Sequence, residues 1–139
     1  MKENFKFLLS VAVIVSLILG CSKLSDLAGD SSDKLFFCVS YNSSTDKCEG
    51  KSGKYTTGFL TVMIDLRPTK RKVGVDKVNI NVTNIKTGDV VDTYPYDTDP
   101  TMDYVYFDKV DFKSPGKYKV SALKPDGTVL VSNEIEIIE

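Results

Sequence analysis

From residue 34 onward the sequence alternates apolar and polar side chains, which is the pattern of β-strands with one buried face. Val78, Ile80 and Val82, for example, are separated by single polar residues. Turn sequences rich in glycine, proline and aspartate separate such runs, and no window in this part supports an amphipathic helix. The pattern predicts seven strands, at 35–41, 58–66, 77–84, 89–95, 104–108, 116–123 and 128–138.

About seven short antiparallel strands in some hundred residues are typical of a single two-sheet sandwich. The sequence FKSPGKYKV at 112–120, followed by KPDG at 124–127, resembles the last two strands of bacterial immunoglobulin-like and fibronectin type III-like domains. Tyr118 lies where these domains often place a corner tyrosine. The resemblance covers 78–137 and implies an all-β, immunoglobulin-like sandwich. The core tryptophan and the inter-sheet cysteine pair of antibody domains are absent from this sequence.

The N-terminal segment has a different character. Residues 7–19 form a mostly apolar run preceded by Lys2 and Lys6, as in a secretory signal peptide. A transmembrane helix needs about 20 apolar residues, so a retained membrane anchor is a weaker alternative, as is a secreted protein with an incidental cysteine. The sequence ILGC at 18–21 resembles the lipobox of bacterial lipoproteins. This resemblance implies cleavage before Cys21, a diacylglyceryl thioether on its sulfur and acylation of its amino group.

These features divide the chain into three parts. Residues 1–20 are predicted to be the signal peptide, 21–33 a lipidated flexible tether, and 34–139 the immunoglobulin-like domain. The tether is expected to be flexible because its residues are mostly small, polar or charged and lack apolar periodicity. Ser22 replaces the aspartate that retains many lipoproteins on the inner membrane. The resemblance therefore implies a bacterial cell-envelope protein, held by its lipid at the outer membrane on the periplasmic or surface face.

Two further cysteines, Cys38 and Cys48, lie in the predicted domain. An exported protein meets oxidising conditions, so an even pair of cysteines is most simply a disulfide. A metal site would need more thiols or histidines at suitable spacing, and the sequence has none. We therefore expect a Cys38–Cys48 disulfide and no metal.

Charge and composition argue against several function classes. Without residues 1–20 the chain keeps 16 of its 18 basic and 18 of its 19 acidic side chains, so it offers no electrostatic attraction for nucleic acid. Histidine, the commonest general base, is absent. No serine lies in a nucleophile-elbow sequence. We therefore expect a protein that is not an enzyme and binds no cofactor.

Two charged loops each have two interpretations. Asp97, Asp99 and Asp103 offer oxygen ligands of the kind that calcium prefers, but their spacing does not match an EF-hand. A solvent-exposed hairpin tip is the favoured interpretation of this loop. The other loop, which follows the second predicted strand, is interpreted as a solvated loop with a basic cluster. That cluster consists of Arg67, Lys70, Arg71 and Lys72.

Four tyrosines provide the candidate binding surface. If strands 89–95 and 104–108 form a hairpin, Tyr94 lies opposite Tyr106, and Tyr96 lies opposite Tyr104, with all four rings on one face. Cross-strand aromatic pairs stabilise sheets, so packing is the favoured interpretation. Tyrosine is also enriched at binding hot spots, and Pro95 marks an edge strand beside this face. The face is therefore also a candidate site for a protein or glycan ligand.

The sequence-based expectation for function is a membrane-anchored, non-catalytic binding or accessory module. Its partners would be the membrane, through the lipid, and a protein or glycan of unknown identity. One alternative is a structural component of an envelope assembly. A weaker alternative is a sandwich that inhibits proteases through its loops.

Overall fold

The computed structural model describes residues 32–139. The predicted signal peptide, the lipidation site at Cys21 and nearly all of the predicted tether lie outside these residues. Residues 32–139 form ten strands and a short 3-10 helix at Arg67–Thr69. The strands are β1 (Lys34–Cys38), β2 (Ser40–Asn42), β3 (Lys47–Glu49), β4 (Lys54–Thr56), β5 (Gly58–Asp65), β6 (Lys77–Asn84), β7 (Val90–Asp97), β8 (Tyr104–Phe112), β9 (Gly116–Leu123) and β10 (Val129–Ile138).

The strands form three sheets. One has the order β1-β5-β8, the second has the order β4-β10-β9-β6-β7, and β2 and β3 form a two-stranded hairpin. All pairs are antiparallel except β4 with β10, which is parallel. Within residues 32–139, no helix is long and apolar enough to cross a membrane.

The predicted all-β class is confirmed, but the strand count and the pairing need correction. The described residues contain ten strands, not seven, and one pair is parallel. The predicted strand 35–41 breaks at Val39 into β1 and β2. The strands β2, β3 and β4 have three residues each, which is too short for a period of two to be recognised in the sequence.

The two larger sheets share one hydrophobic core. Alternate residues of β6, such as Val78 and Ile80, are fully buried in the same cluster as residues of the other sheet, such as Phe37 and Phe107. The core contains residues of β1, β5 and β8 on one side and of β6, β9 and β10 on the other. The alternation in the sequence therefore reports which face of each strand lies in the core.

A β-bulge explains why β8 is longer than predicted. Phe107 and Val110 are both buried although they are three positions apart, which breaks the period of two. The register with β5 shifts between Leu60 and Val62, and Lys109 has a positive φ of 62°. An extra residue in the left-handed conformation bends the strand without ending it. The strand therefore continues to Phe112, beyond the predicted end at residue 108.

Tyr118 anchors the turn before β9. Its ring is buried beside Phe112, at 6.0 Å between centroids, and its hydroxyl donates to the main-chain oxygen of Ser114 at 2.8 Å. A tyrosine that bonds to the backbone a few residues upstream is the geometry of a tyrosine corner. The predicted role of Tyr118 is thus matched by its contacts.

Polar side chains link the two larger sheets along the side where β1 lies. The amide of Asn133, in β10, donates to the main-chain oxygen of Leu35 at 2.9 Å. The hydroxyl of Tyr55, in β4, lies 2.8 Å from the main-chain oxygen of Phe37 and 2.7 Å from that of Gly50. Backbone oxygens at this edge therefore find partners in the opposite sheet.

Asp33, the last residue of the predicted tether, makes polar contacts with the domain. Its side chain is only 7% exposed, and it accepts a hydrogen bond from the hydroxyl of Thr69 at 2.5 Å. The guanidinium of Arg71 lies 3.3 Å from its other oxygen and also donates to the main-chain oxygen of Leu130. These contacts of Asp33 lie one residue before the predicted domain boundary at residue 34.

The basic cluster is not simply a solvated loop. Besides the Arg71 pair, Arg67 binds Asp65 at 2.7 Å and Lys72 binds Asp103 at 2.5 Å. These partners come from different segments of the chain, so the loop is held to the domain by ion pairs. The partial exposure of these side chains keeps the contribution of each pair to stability small.

Candidate functional site

The predicted tyrosine hairpin is not formed. Strands β7 and β8 lie in different sheets, β7 pairing with β6 and β8 pairing with β5. Tyr94 lies opposite Ile80 and Tyr96 lies opposite Val78, so the predicted cross-strand tyrosine pairs are wrong. The chain crosses from one sheet to the other between β7 and β8. The sequence of a short loop does not show whether the loop makes such a crossing or a hairpin turn.

Tyr94 and Tyr96 close the gap between the edges of the two larger sheets. Both rings pack against the core, Tyr96 at 5.1 Å from the ring of Phe107. The hydroxyl of Tyr94 lies 3.1 Å from the main-chain oxygen of Asp111 and 2.7 Å from a carboxylate oxygen of Asp92. The hydroxyl of Tyr96 donates to the main-chain oxygen of Asp108 at 2.5 Å.

The surroundings of these two rings favour the packing interpretation. Burial raises the pKa of Tyr96, and burial followed by the hydrogen bond to Asp92 raises that of Tyr94, so both remain neutral donors at physiological pH. The strand that carries them, β7, is the last strand of its sheet, which confirms the edge position indicated by Pro95.

We expect the double substitution Tyr94→Phe and Tyr96→Phe to lower the free energy of unfolding by about 1–3 kcal/mol, because β8 carbonyls lose their partners from β7 while the rings are retained. Urea denaturation measures this change. Tyr106→Phe is the matched control, since the hydroxyl of Tyr106 makes no hydrogen bond within residues 32–139. Equal stability of the double variant and the control would contradict the linking role.

Tyr104 and Tyr106 lie on the other face of β8, away from the core. There they join Phe36 of β1 and Tyr41 of β2, and these four residues are named the outer aromatic surface. The rings of Tyr41 and Tyr106 stack at 4.3 Å with 19° between their planes. The rings of Phe36 and Tyr104 are tilted and 6.5 Å apart. The four predicted tyrosines are therefore divided, with two in this surface and two at the sheet edges.

Phe36 and Tyr41 belong to this surface, although the predicted site does not include them. The sequence carries a signal for Phe36, because this residue lies between the core residues Leu35 and Phe37 and therefore points to the outer face of β1. The position of Tyr41 depends on the β2–β3 hairpin, which the sequence pattern does not reveal.

Two cations already lie over rings of the outer aromatic surface. The guanidinium of Arg67 is 4.0 Å from the ring centroid of Tyr104, and the ammonium of Lys51 is 4.2 Å from that of Phe36. Arg67 is oriented by two side-chain hydrogen bonds to Asp65, at 2.8 and 2.7 Å, and these bonds lower the pKa of that carboxyl. These are cation–π contacts, stabilised by the negative faces of the rings.

The predicted disulfide between Cys38 and Cys48 is present, with 5.6 Å between the Cα atoms. Cys38 ends β1, whereas Cys48 lies in β3 directly opposite Tyr41 of β2. The bond thus ties the hairpin to the three-stranded sheet. It holds the strand that carries Tyr41 close to the ring of Tyr106.

A groove of about 690 Å³ lies along the outer aromatic surface. Asp46 accepts a hydrogen bond from the hydroxyl of Tyr41, and this bond is the main cause that raises the pKa of Tyr41 to about 12. Asp108 accepts a hydrogen bond from the hydroxyl of Thr61 at 2.7 Å. The lining consists of Tyr41, Asp46, Met63, Arg67, Tyr96, Asp97, Met102, Asp103, Tyr104, Val105, Tyr106 and Asp108. The groove therefore combines aromatic rings with several carboxylates.

The acidic loop before β8 has carboxylates with internal partners. Asp99 accepts hydrogen bonds from the main-chain nitrogen and the hydroxyl of Thr101, which lower its pKa. Asp103 pairs with Lys72. Within residues 32–139, no group of three or more histidine, cysteine or acidic side chains is placed to hold a metal ion.

Two solved structures have distant similarity to this chain. No family model and no curated protein matches the chain. The soluble domain of PmoD from Methylocystis sp. ATCC 49242 (Rockwell) has a TM-score of 0.44 and 11% identity, over 76% of this chain and 90% of that chain. An endonuclease/exonuclease/phosphatase from Beutenbergia cavernae DSM 12333 has a TM-score of 0.31 and 18% identity, and the match covers 57% of this chain but 20% of that chain. With both TM-scores below 0.5, neither similarity assigns a family or a function.

Proposed function

We propose that this protein is a lipid-anchored, non-catalytic binding module of the bacterial cell envelope, attached through Cys21 at the outer membrane. The lipobox-like sequence at 18–21 supports the anchor, because two or more acyl chains give stable membrane attachment where one is marginal. The absence of histidine from the sequence supports a role without catalysis.

The proposed domain is an immunoglobulin-like sandwich with an added hairpin. Support comes from the single core shared by the two larger sheets and from the corner geometry of Tyr118. The hairpin of β2 and β3 and the parallel strand β4 are additions to the expected seven strands. The hairpin contributes Tyr41 to the outer aromatic surface, so one of the additions builds the proposed binding site.

The observation that carries the binding function is the exposed ring of Tyr106. It is 45% exposed and lines a groove whose other rings are partly buried. The surrounding structure holds this ring in place, through the stacked Tyr41 and the disulfide of its hairpin. A rigid, partly exposed tyrosine in a groove is typical of a binding hot spot for a protein or glycan.

Site-specific crosslinking in intact cells tests this function. A photoreactive benzoylphenylalanine at position 106 is expected to form one discrete adduct with a cell-envelope component. The matched control is the same group at position 59, because Phe59 is 67% exposed on β5 but lies outside the groove. No adduct from position 106, or the same adduct from both positions, would contradict a binding role for the outer aromatic surface.

A further inference from the structure

The groove is negatively charged as well as aromatic. Its lining residues include four aspartates and one arginine, which gives a formal net charge of −3. Lys72 offsets Asp103, but within residues 32–139 no salt bridge joins a cation to Asp46 or Asp108. The groove therefore presents uncompensated carboxylates beside the rings.

These carboxylates are close to the exposed ring. Asp108 follows Tyr106 by two positions on β8, so both side chains leave the same face of the strand. Asp46 is bonded to the hydroxyl of Tyr41, whose ring stacks on that of Tyr106. The carboxylates of Asp46 and Asp108 thus line the same groove as the ring of Tyr106.

The same surface already shows which chemistry its rings accept. Arg67 and Lys51 lie over Tyr104 and Phe36, whereas no cation of residues 32–139 lies over Tyr106. Aromatic faces attract Lys and Arg groups, and the attraction increases when the cation is partly desolvated. The stacked ring of Tyr41 covers one face of Tyr106, and the 45% exposure of Tyr106 leaves room for a cation beside the uncompensated carboxylates.

We propose that the groove binds a lysine or arginine side chain from a basic segment of a partner protein, with the cation over the face of Tyr106 that Tyr41 leaves open and paired with Asp108 or Asp46. This inference rests on the proposed binding function of the outer aromatic surface and names its ligand class. A neutral glycan would also stack on Tyr106, but it would leave the negative charge of the groove uncompensated. Charge complementarity therefore favours the basic segment.

The test uses the full-length protein in non-ionic detergent and a short labelled peptide that alternates lysine and alanine. Fluorescence anisotropy is expected to show binding that weakens as salt rises from about 50 to 200 mM, because exposed charges are screened. Tyr106→Ala and Asp108→Asn are each expected to weaken binding about tenfold, the size of a hot-spot contact. Tyr106→Phe keeps the ring and should keep the affinity.

Two control variants separate the groove from general effects. Phe59→Ala removes an exposed aromatic ring outside the groove, and Asp126→Asn removes a negative charge in the turn before β10. Both are expected to leave the affinity unchanged. Equal losses in the controls, or equal binding of a peptide with glutamate in place of lysine, would overturn the proposal.

The competing ligand class gives a distinct result. If maltotetraose binds through Tyr106 and the lysine peptide does not, the basic ligand is wrong while the binding function stands. If crosslinking from position 106 succeeds but the lysine peptide does not bind, the proposed basic ligand is wrong and the proposed binding function stands. If neither probe binds and no crosslink forms, the proposed binding function fails as well.

Discussion

Replacing Cys38 and Cys48 together by alanine is expected to lower the free energy of unfolding by about 2–4 kcal/mol. The disulfide closes a loop with a sequence separation of 10 and thereby restricts the unfolded chain. In a domain of about 100 residues, a loss of this size lowers the melting temperature by roughly 10 °C or more. Thermal and urea denaturation measure the change.

The same substitution should also disturb the outer aromatic surface. Without the disulfide, the hairpin that carries Tyr41 loses its covalent tie to the three-stranded sheet. We expect a weaker near-ultraviolet circular dichroism signal from the Tyr41–Tyr106 stack and weaker binding at the groove, even where the core remains folded. Reduction of the natural protein is the matched control and should give the same two changes. Unchanged stability and an unchanged tyrosine signal would contradict the role of the disulfide.

Substitution of Cys21 by serine is expected to remove the protein from the membrane fraction or to leave it unprocessed. Serine has no thiol for the thioether, so the anchor proposed for this position cannot form. The Cys38→Ala, Cys48→Ala variant is the control, because it also loses cysteine but keeps Cys21. Cell fractionation followed by an alkaline carbonate wash measures attachment. A processed Cys21→Ser protein that stays with the membrane would show that another element holds it.

Much of the fold could be predicted because long strands show a clear alternation of buried apolar and exposed polar residues. The predicted strands 58–66, 77–84, 116–123 and 128–138 agree closely with β5, β6, β9 and β10. The register of β8 could not be predicted, since the bulge at Lys109 interrupts the alternation that defines it. The short strands carry too few residues for a periodic signal.

The candidate site could be predicted only in part. The alternation of side chains along a strand correctly places Tyr104 and Tyr106 on one face, because the face of a side chain depends only on its own strand. The grouping of these residues with Tyr94 and Tyr96 depended on which strands pair, and strand pairing is set by packing between distant segments. The β2–β3 hairpin and its disulfide place the ring of Tyr41 against that of Tyr106. The sequence pattern does not predict this contact.

The two faces of the three-stranded sheet have different surroundings. Its inner face packs in the core, and its edges are linked to the other sheet by side chains such as Tyr55, Asn133 and Tyr96. Its outer face carries the aromatic groove, partly framed by the disulfide-linked hairpin. Changes at Tyr106 should therefore affect the proposed binding more than stability, whereas changes at Tyr55 and Asn133 should do the reverse.

Attachment of lipid at Cys21 is the claim on which the proposed cellular role depends most, and mass spectrometry of the mature N-terminal peptide tests it directly. The expected result is a peptide that begins at Cys21 and carries a diacylglyceryl thioether with an acylated amino group. A protein that retains Met1, or a mature terminus at another residue without lipid, would contradict the proposed anchor.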